Sequence, residues 1–174
     1  GLMKSHIPTS WDLSGAAKDD SLLACLEIVC SMLGRPTSGS ALISGLPLEN
    51  NRLTPENAVR AAARAHLSAR LVKKKLTDIL AFTLPAILLL EGNKACILVD
   101  RDEVMNTYQV IFPETGKGSV LLTEEDLKTF YSGVAIFLKQ MYRYDQRSID
   151  IAIDKPEQWF WGTLRKSWRI YAQV

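Results

Sequence analysis

Residues 20–33 read Asp20-Ser21-Leu22-Leu23-Ala24-Cys25-Leu26-Glu27-Ile28-Val29-Cys30-Ser31-Met32-Leu33. Apolar side chains cover nearly the whole helical circumference, and Asp20, Glu27 and Ser31 leave only a narrow polar stripe at i, i+7 and i+11. A helix apolar almost all round is one that the rest of the domain buries. Gly34 and Pro36 end it, and Asp20 is placed to accept the first free backbone N–H groups as N-cap, with Ser21 at the first helical position.

Outward from this helix, residues 41–46 suit a small second helix before Pro47. Thr54-Pro55-Glu56 reads as N-cap, N1 proline and first-turn acid of a third helix, which carries Ala58, Val59, Ala62, Ala63 and Ala65 and stops near His66. Short strands follow. Residues 69–73 alternate, 76–80 suit one helical turn, and 85–90 and 95–100 suit antiparallel neighbours joined through Gly92-Asn93, a hairpin signal. Further strands are expected over 107–112, 119–122 and 133–138, with Thr123-Glu124-Glu125-Asp126 as a capping box between the last two. Helices first and a meander of strands after them predict an α+β domain in which N-terminal helices pack on an antiparallel sheet.

The chain has 174 residues, 47% hydrophobic and 23% charged, with a formal net charge of +2. That suits one globular domain with an appendage and gives no global field for nucleic acid; Lys73-Lys74-Lys75 is the only dense basic run, and a solvated strand end accounts for it. Cys25, Cys30 and Cys96 lack metal or redox spacing and suit reduced core thiols; with only His6 and His66 beside them no metal site is expected. The opening stretch, with Lys4, His6, Pro8 and Asp12, does not read as a signal peptide, and no apolar run approaches the roughly 20 residues that cross a bilayer. Residues 1–13 read as a cloning remnant and N-terminal extension, 14–141 as the folded domain, and 142–174 as a linker and amphipathic tail. In that tail Trp159, Phe160, Trp161 and Trp168 interleave with Arg165, Lys166 and Arg169. The pattern suits a membrane interface on the cytoplasmic side, or a helix packed on this domain or a partner.

Three local motifs, in this order of elements, resemble the N-terminal peptidase domain of bacteriocin-processing ABC exporters, the family-39 cysteine peptidases. They are Asp20 to Leu26; Pro85-Ala86-Ile87 with Gly92-Asn93 and Lys94 to Leu98; and Phe112-Pro113-Glu114-Thr115-Gly116 followed by Gly133-Val134-Ala135. The resemblance implies a papain-like fold. Where the family carries its nucleophilic cysteine, histidine and orienting aspartate, this chain carries Ser21, Lys94 and Phe112, and Gly15 stands near the oxyanion glutamine. A thiol peptidase needs a thiolate, a base and an orienting group, so the expectation is a domain with no catalytic residues. Two rescues remain open: Cys25 with His66 as base, and a Ser21–Lys94 dyad.

The family's inactive relatives belong to type I secretion exporters of RTX toxins and large adhesins, and the Trp159-Phe160-Trp161-Gly162 tail is similar to the adhesin branch. The resemblance therefore implies a non-catalytic domain on the cytoplasmic side of a bacterial inner membrane. It would tether unfolded RTX or adhesin cargo through the degenerate positions Ser21, Lys94 and Phe112, and touch the membrane surface through its tail. Its partners would be the cargo and the rest of the transporter, a homodimer in the membrane, with no nucleic acid. The domain needs no cofactor; ATP and Mg²⁺ belong to the full-length transporter. The alternatives are a docking or regulatory domain on the ATPase, and a residual Ser-Lys hydrolase. For the three positions the plainer readings are helix-start filler, exposed strand-end charge and core aromatic.

Overall fold

The computed structural model of the chain describes residues 11, 13, 17, 19–116 and 118–141. Helix α1 spans Ser21–Met32 and is the buried helix of the opening motif; ten of its twelve residues are buried, leaving Glu27 and Ser31 as the outward stripe. The Asp20 carboxylate accepts from the Leu23 N–H at 3.2 Å, the expected N-cap bond. Helix α2 spans Gly39–Ile43, a little earlier than the apolar pattern suggests, because the Ser38 side chain caps it by accepting from the Ala41 N–H. Helix α3 spans Pro55–Arg64 with Thr54 as N-cap, and His66 beyond it takes a left-handed φ of 61°.

The strands are β1 (Leu67–Lys73), β2 (Ala86–Leu90), β3 (Lys94–Asp102), β4 (Thr107–Ile111), β5 (Val120–Thr123) and β6 (Tyr131–Gln140), with helix α4 over Glu124–Lys128. They form one antiparallel sheet in the order β1-β6-β2-β3-β4-β5. The architecture is the expected α+β, papain-like arrangement. Thr123 caps α4 by accepting from Asp126 N–H, as the capping-box reading requires. The predicted turn at 76–80 is a 3₁₀ turn over Leu76–Asp78, held by Arg101, whose guanidinium donates to Thr77 O at 3.0 Å and Ile79 O at 2.7 Å.

Both faces of the sheet are covered at its centre, which is why β2 reads as an unbroken Ala-Ile-Leu-Leu-Leu run with every residue buried. On one face Ile87, Leu89, Ile97 and Ile136 pack against Leu22, Leu26 and Val29 of α1 and Ala58 and Ala62 of α3. On the other, Leu88, Leu98, Tyr108 and Val110 pack with Leu76, Ile79 and Leu127. Each fully buried leucine contributes roughly 1.5–3 kcal/mol. Glu91, Gly92 and Asn93 form the three-residue connection between paired Leu90 and Lys94, and Gly92 (φ 80°) and Asn93 (φ 59°) close it in the left-handed region that glycine and asparagine adopt most readily.

Candidate functional site

The N-terminus of α1 meets the start of β3, and Ser21 is the joint. Its Oγ accepts from the Ala95 N–H at 2.9 Å and donates to the Ala95 carbonyl at 3.1 Å. The reason lies in the next strand. Ile97 pairs with Ile111 and Leu98 with Val110, so continuing the register would set Ala95 opposite Pro113. Proline has no N–H to give, and the chain there turns into a 3₁₀ segment over Pro113–Thr115. Ladder pairing therefore stops, and the Ser21 hydroxyl supplies the donor and the acceptor that β4 no longer offers Ala95. Ser21 is buried, and both its hydrogen-bonding roles are taken by backbone.

Lys94 and Phe112 flank this joint and face different surroundings. The Lys94 side chain is 59% exposed, with Nζ 3.9 Å from Glu114 Oε2, a loose surface pair. Phe112 is half-buried, stacked on Phe130 with ring centroids 6.2 Å apart and 6° between planes, and it belongs to the core beyond the sheet. Its expected role as a core aromatic is thus partly met: one face packs and part stays open. Sequence reasoning missed two members of the neighbourhood. Glu114 partners Lys94, and Trp11 donates its indole N–H to Pro113 O at 3.1 Å, fastening the approach to α1 over the 3₁₀ turn. The Phe-Pro-Glu-Thr-Gly motif flags the turn, but nothing local in sequence ties Trp11 to it.

Asp20 sits beneath. Its second carboxylate oxygen accepts from the Leu53 N–H at 2.7 Å, so one buried carboxylate joins the α1 N-terminus to the segment leading into α3. Burial raises its pKa from the ordinary carboxylate value, opposed by the bonds from Leu53 and Leu23.

The thiols stay in the core. Cys25 is fully buried, and desolvation raises its pKa well above the ordinary thiol value, with Cys96, Glu114 and Asp20 adding to it. Burial likewise raises Cys96, and pushes Cys30 up to about 12. A thiol held protonated is neither nucleophile nor metal ligand. His66 stands off the far end of β1: Ala95 lies in line across the sheet with Leu89, Val134 and Lys73, and His66 precedes Lys73 by seven residues, about 23 Å at strand rise. Among the described residues no group of His, Cys, Asp and Glu is placed to hold a metal ion. Gly15, His6, Trp159, Phe160, Trp161 and Trp168 lie outside the described residues.

Residues 14–142 match the model of the peptidase C39 family. The chain belongs to the peptidase C39 family. Its fold is that of the N-terminal peptidase C39-like domain of the toxin secretion ATP-binding protein from Vibrio parahaemolyticus. That structure is 35% identical and superposes with a TM-score of 0.66 over 70% of this chain and 98% of that one. The peptidase domain of Streptococcus ComA, a bi-functional ABC transporter involved in quorum sensing, shares the fold at 19% identity (TM-score 0.62, 78% of this chain and 100% of that one). So does a double-glycine-motif protease from an AMS/PCAT transporter in complex with its leader peptide, at 16% identity (TM-score 0.61, 79% and 94%). No curated protein matches the chain. Among the described residues no helix is long and apolar enough to cross a membrane.

Proposed function

We propose that this chain is the non-catalytic, peptidase-like domain of a type I secretion ABC exporter, tethering an unfolded RTX or adhesin cargo at the cytoplasmic face of a bacterial inner membrane. The observation that carries the reading is the Ser21 hydroxyl, spent in both directions on the Ala95 backbone at the position where the family keeps its nucleophile. Serine there serves the sheet. Neither neighbour restores the chemistry, since Lys94 reaches out toward Glu114 and Phe112 stacks on Phe130. A Ser21–Lys94 dyad would need a desolvated lysine, whereas this side chain is mostly in water. The 35% identity to a domain of a toxin secretion ATP-binding protein supports the exporter context. A fold that elsewhere is seen with a leader peptide supports binding of an extended polypeptide.

Ordering an unfolded partner costs entropy, so the expected affinity is in the micromolar class. ATP and Mg²⁺ act elsewhere in such a transporter, in its nucleotide-binding domains. The test is titration of the 174-residue chain with an unfolded C-terminal fragment of an RTX adhesin, followed by NMR shifts and by gel assay for cleavage. Saturable shifts without cleavage are expected. Cleavage refutes the non-catalytic assignment, and absence of any shift refutes tethering. Binding to the isolated nucleotide-binding domain in place of the fragment would make it a docking domain.

A further inference from the structure

On the sheet face turned away from α1 and α3, along the outer strand β1, lies a groove of about 310 Å³ that the degenerate cleft does not include. Strand alternation builds it. Leu67, Ala69 and Leu71 point into the helical layer, so Arg70, Val72 and, just past the strand, Lys74 come up on the other side. Phe137 and Lys139 of β6 alternate in the same way beside them, and the segment before β2 closes the far wall with Phe82. The floor is apolar, with Val72 and Phe137 half-buried, while Phe82 stands 83% exposed at the rim.

The charge around this floor has one sign. Arg70, Lys74 and Lys139 are all exposed, and no lining residue carries a carboxylate. Among the described residues neither Arg70 nor Lys139 has an acidic partner within ion-pair distance, and the Lys74 ammonium lies 5.8 Å from the centroid of the Phe137 ring. Elsewhere on the surface Lys94 is matched by Glu114; here three cations frame an apolar hollow that no carboxylate of the described residues lines. An exposed phenylalanine beside such a hollow is surface that a partner would cover.

We infer that this groove is a second binding site, separate from the cleft around Ser21, for an acidic polypeptide segment that inserts an apolar side chain between Phe82 and Phe137 and sets its carboxylates against Arg70, Lys74 and Lys139. A hollow of side-chain size fits a peptide anchor better than a lipid surface, which meets protein on flat or convex faces. Its volume is at the low end of the roughly 300–1,000 Å³ of ligand pockets. The inference does not depend on the exporter reading, because it follows from the chemistry of the groove itself.

The test uses the 174-residue chain and a fluorescein-labelled peptide alternating aspartate with phenylalanine and leucine, with a lysine-for-aspartate peptide as control. Anisotropy should rise saturably for the acidic peptide alone and weaken in 0.5 M salt. Amide shifts should centre on Val72 and Phe137. Reversing the charges with Arg70→Glu and Lys139→Glu should weaken binding about tenfold, as for paired charges at an interface, while Lys128→Glu, at an exposed lysine outside the groove, leaves it unchanged. Phe82→Ser, at a side chain too exposed to affect folding, should weaken it about threefold. No binding, equal binding of the lysine peptide, insensitivity to the charge reversal, or shifts centred on Ser21 and Ala95 would each overturn the assignment. So would binding to vesicles of 30% phosphatidylglycerol by a chain that ignores the peptide. Binding of the adhesin fragment without this peptide removes this inference alone; the converse removes the tethering reading alone.

Discussion

Replacing Ser21 with alanine should destabilise the domain far more than a change at a helix start ordinarily does. Among the described residues the hydroxyl is the partner, on the side away from β2, of the Ala95 N–H at 2.9 Å and of its carbonyl at 3.1 Å. Ser21 and Ala95 are both buried, and an unmade buried donor or acceptor costs about 1–3 kcal/mol. Two such groups give a loss of about 2–6 kcal/mol for Ser21→Ala. In urea, at a slope of roughly 2 kcal/mol/M for a small protein, that is a midpoint shift of about 1–3 M at unchanged slope. In a thermal melt it is about 2–4 °C for each kcal/mol at this chain length. Ser21→Cys retains a weaker donor and acceptor and should fall between wild type and alanine, without gaining activity on a double-glycine leader peptide. The measurement is equilibrium urea unfolding followed by far-UV circular dichroism and tryptophan fluorescence together. A loss below about 0.5 kcal/mol, the level of ordinary surface substitutions, would refute the claim that this hydroxyl completes the edge of β3. A cysteine variant that cleaves the leader would refute the wider argument that Lys94 and Phe112 cannot support a nucleophile.

Two further outcomes follow from buried titrating groups. Burial raises the Asp20 pKa in the folded state, so the fold favours its protonated form. That contribution is complete below the unfolded pKa of about 3.9 and is lost as pH rises through the folded value. Wild-type stability relative to Asp20→Asn should therefore decline with rising pH across that window, and parallel stability–pH curves would contradict it. Cys25, Cys30 and Cys96 are buried with raised pKa values. Ellman's reagent at pH 8 should react with them slowly in the native protein and rapidly in 6 M guanidinium; fast native reaction at Cys25 would reopen a nucleophilic role.

Much of the fold is legible because the interactions that set it are local. The all-round apolar pattern of residues 20–33 specifies a buried helix whatever packs on it, and Asp20, Thr54 and Thr123 cap their helices through N–H groups three residues away. Gly92-Asn93 sets the β2–β3 register by its backbone geometry. The strands run past the predicted ends at β1 and β6: Leu67 and Ser68 continue the alternation of β1 back to the end of α3, and polar Lys139 and Gln140 pair opposite them at the sheet's rim with no apolar residue to mark the end of β6. The second helix begins and ends earlier than its apolar residues suggest, because Ser38 sets its start.

At the candidate site the sequence alone determines which side chains occupy the family's positions: serine, lysine and phenylalanine at 21, 94 and 112. What those side chains do was decided only by the tertiary structure. The Ser21 hydroxyl meets a backbone group 74 positions away because Pro113 ends the β4 ladder opposite it, and no local pattern encodes that encounter. Asp20 reads as a helix cap, yet half of its hydrogen bonding goes to Leu53, brought near by the packing of α1 against α3. The cationic groove is likewise invisible along the chain, since Arg70 and Lys139 become neighbours only through antiparallel pairing of β1 with β6. Periodicity and caps act over a few residues. A hydrogen bond between elements, or a charge cluster across strands, exists only once those elements are assembled.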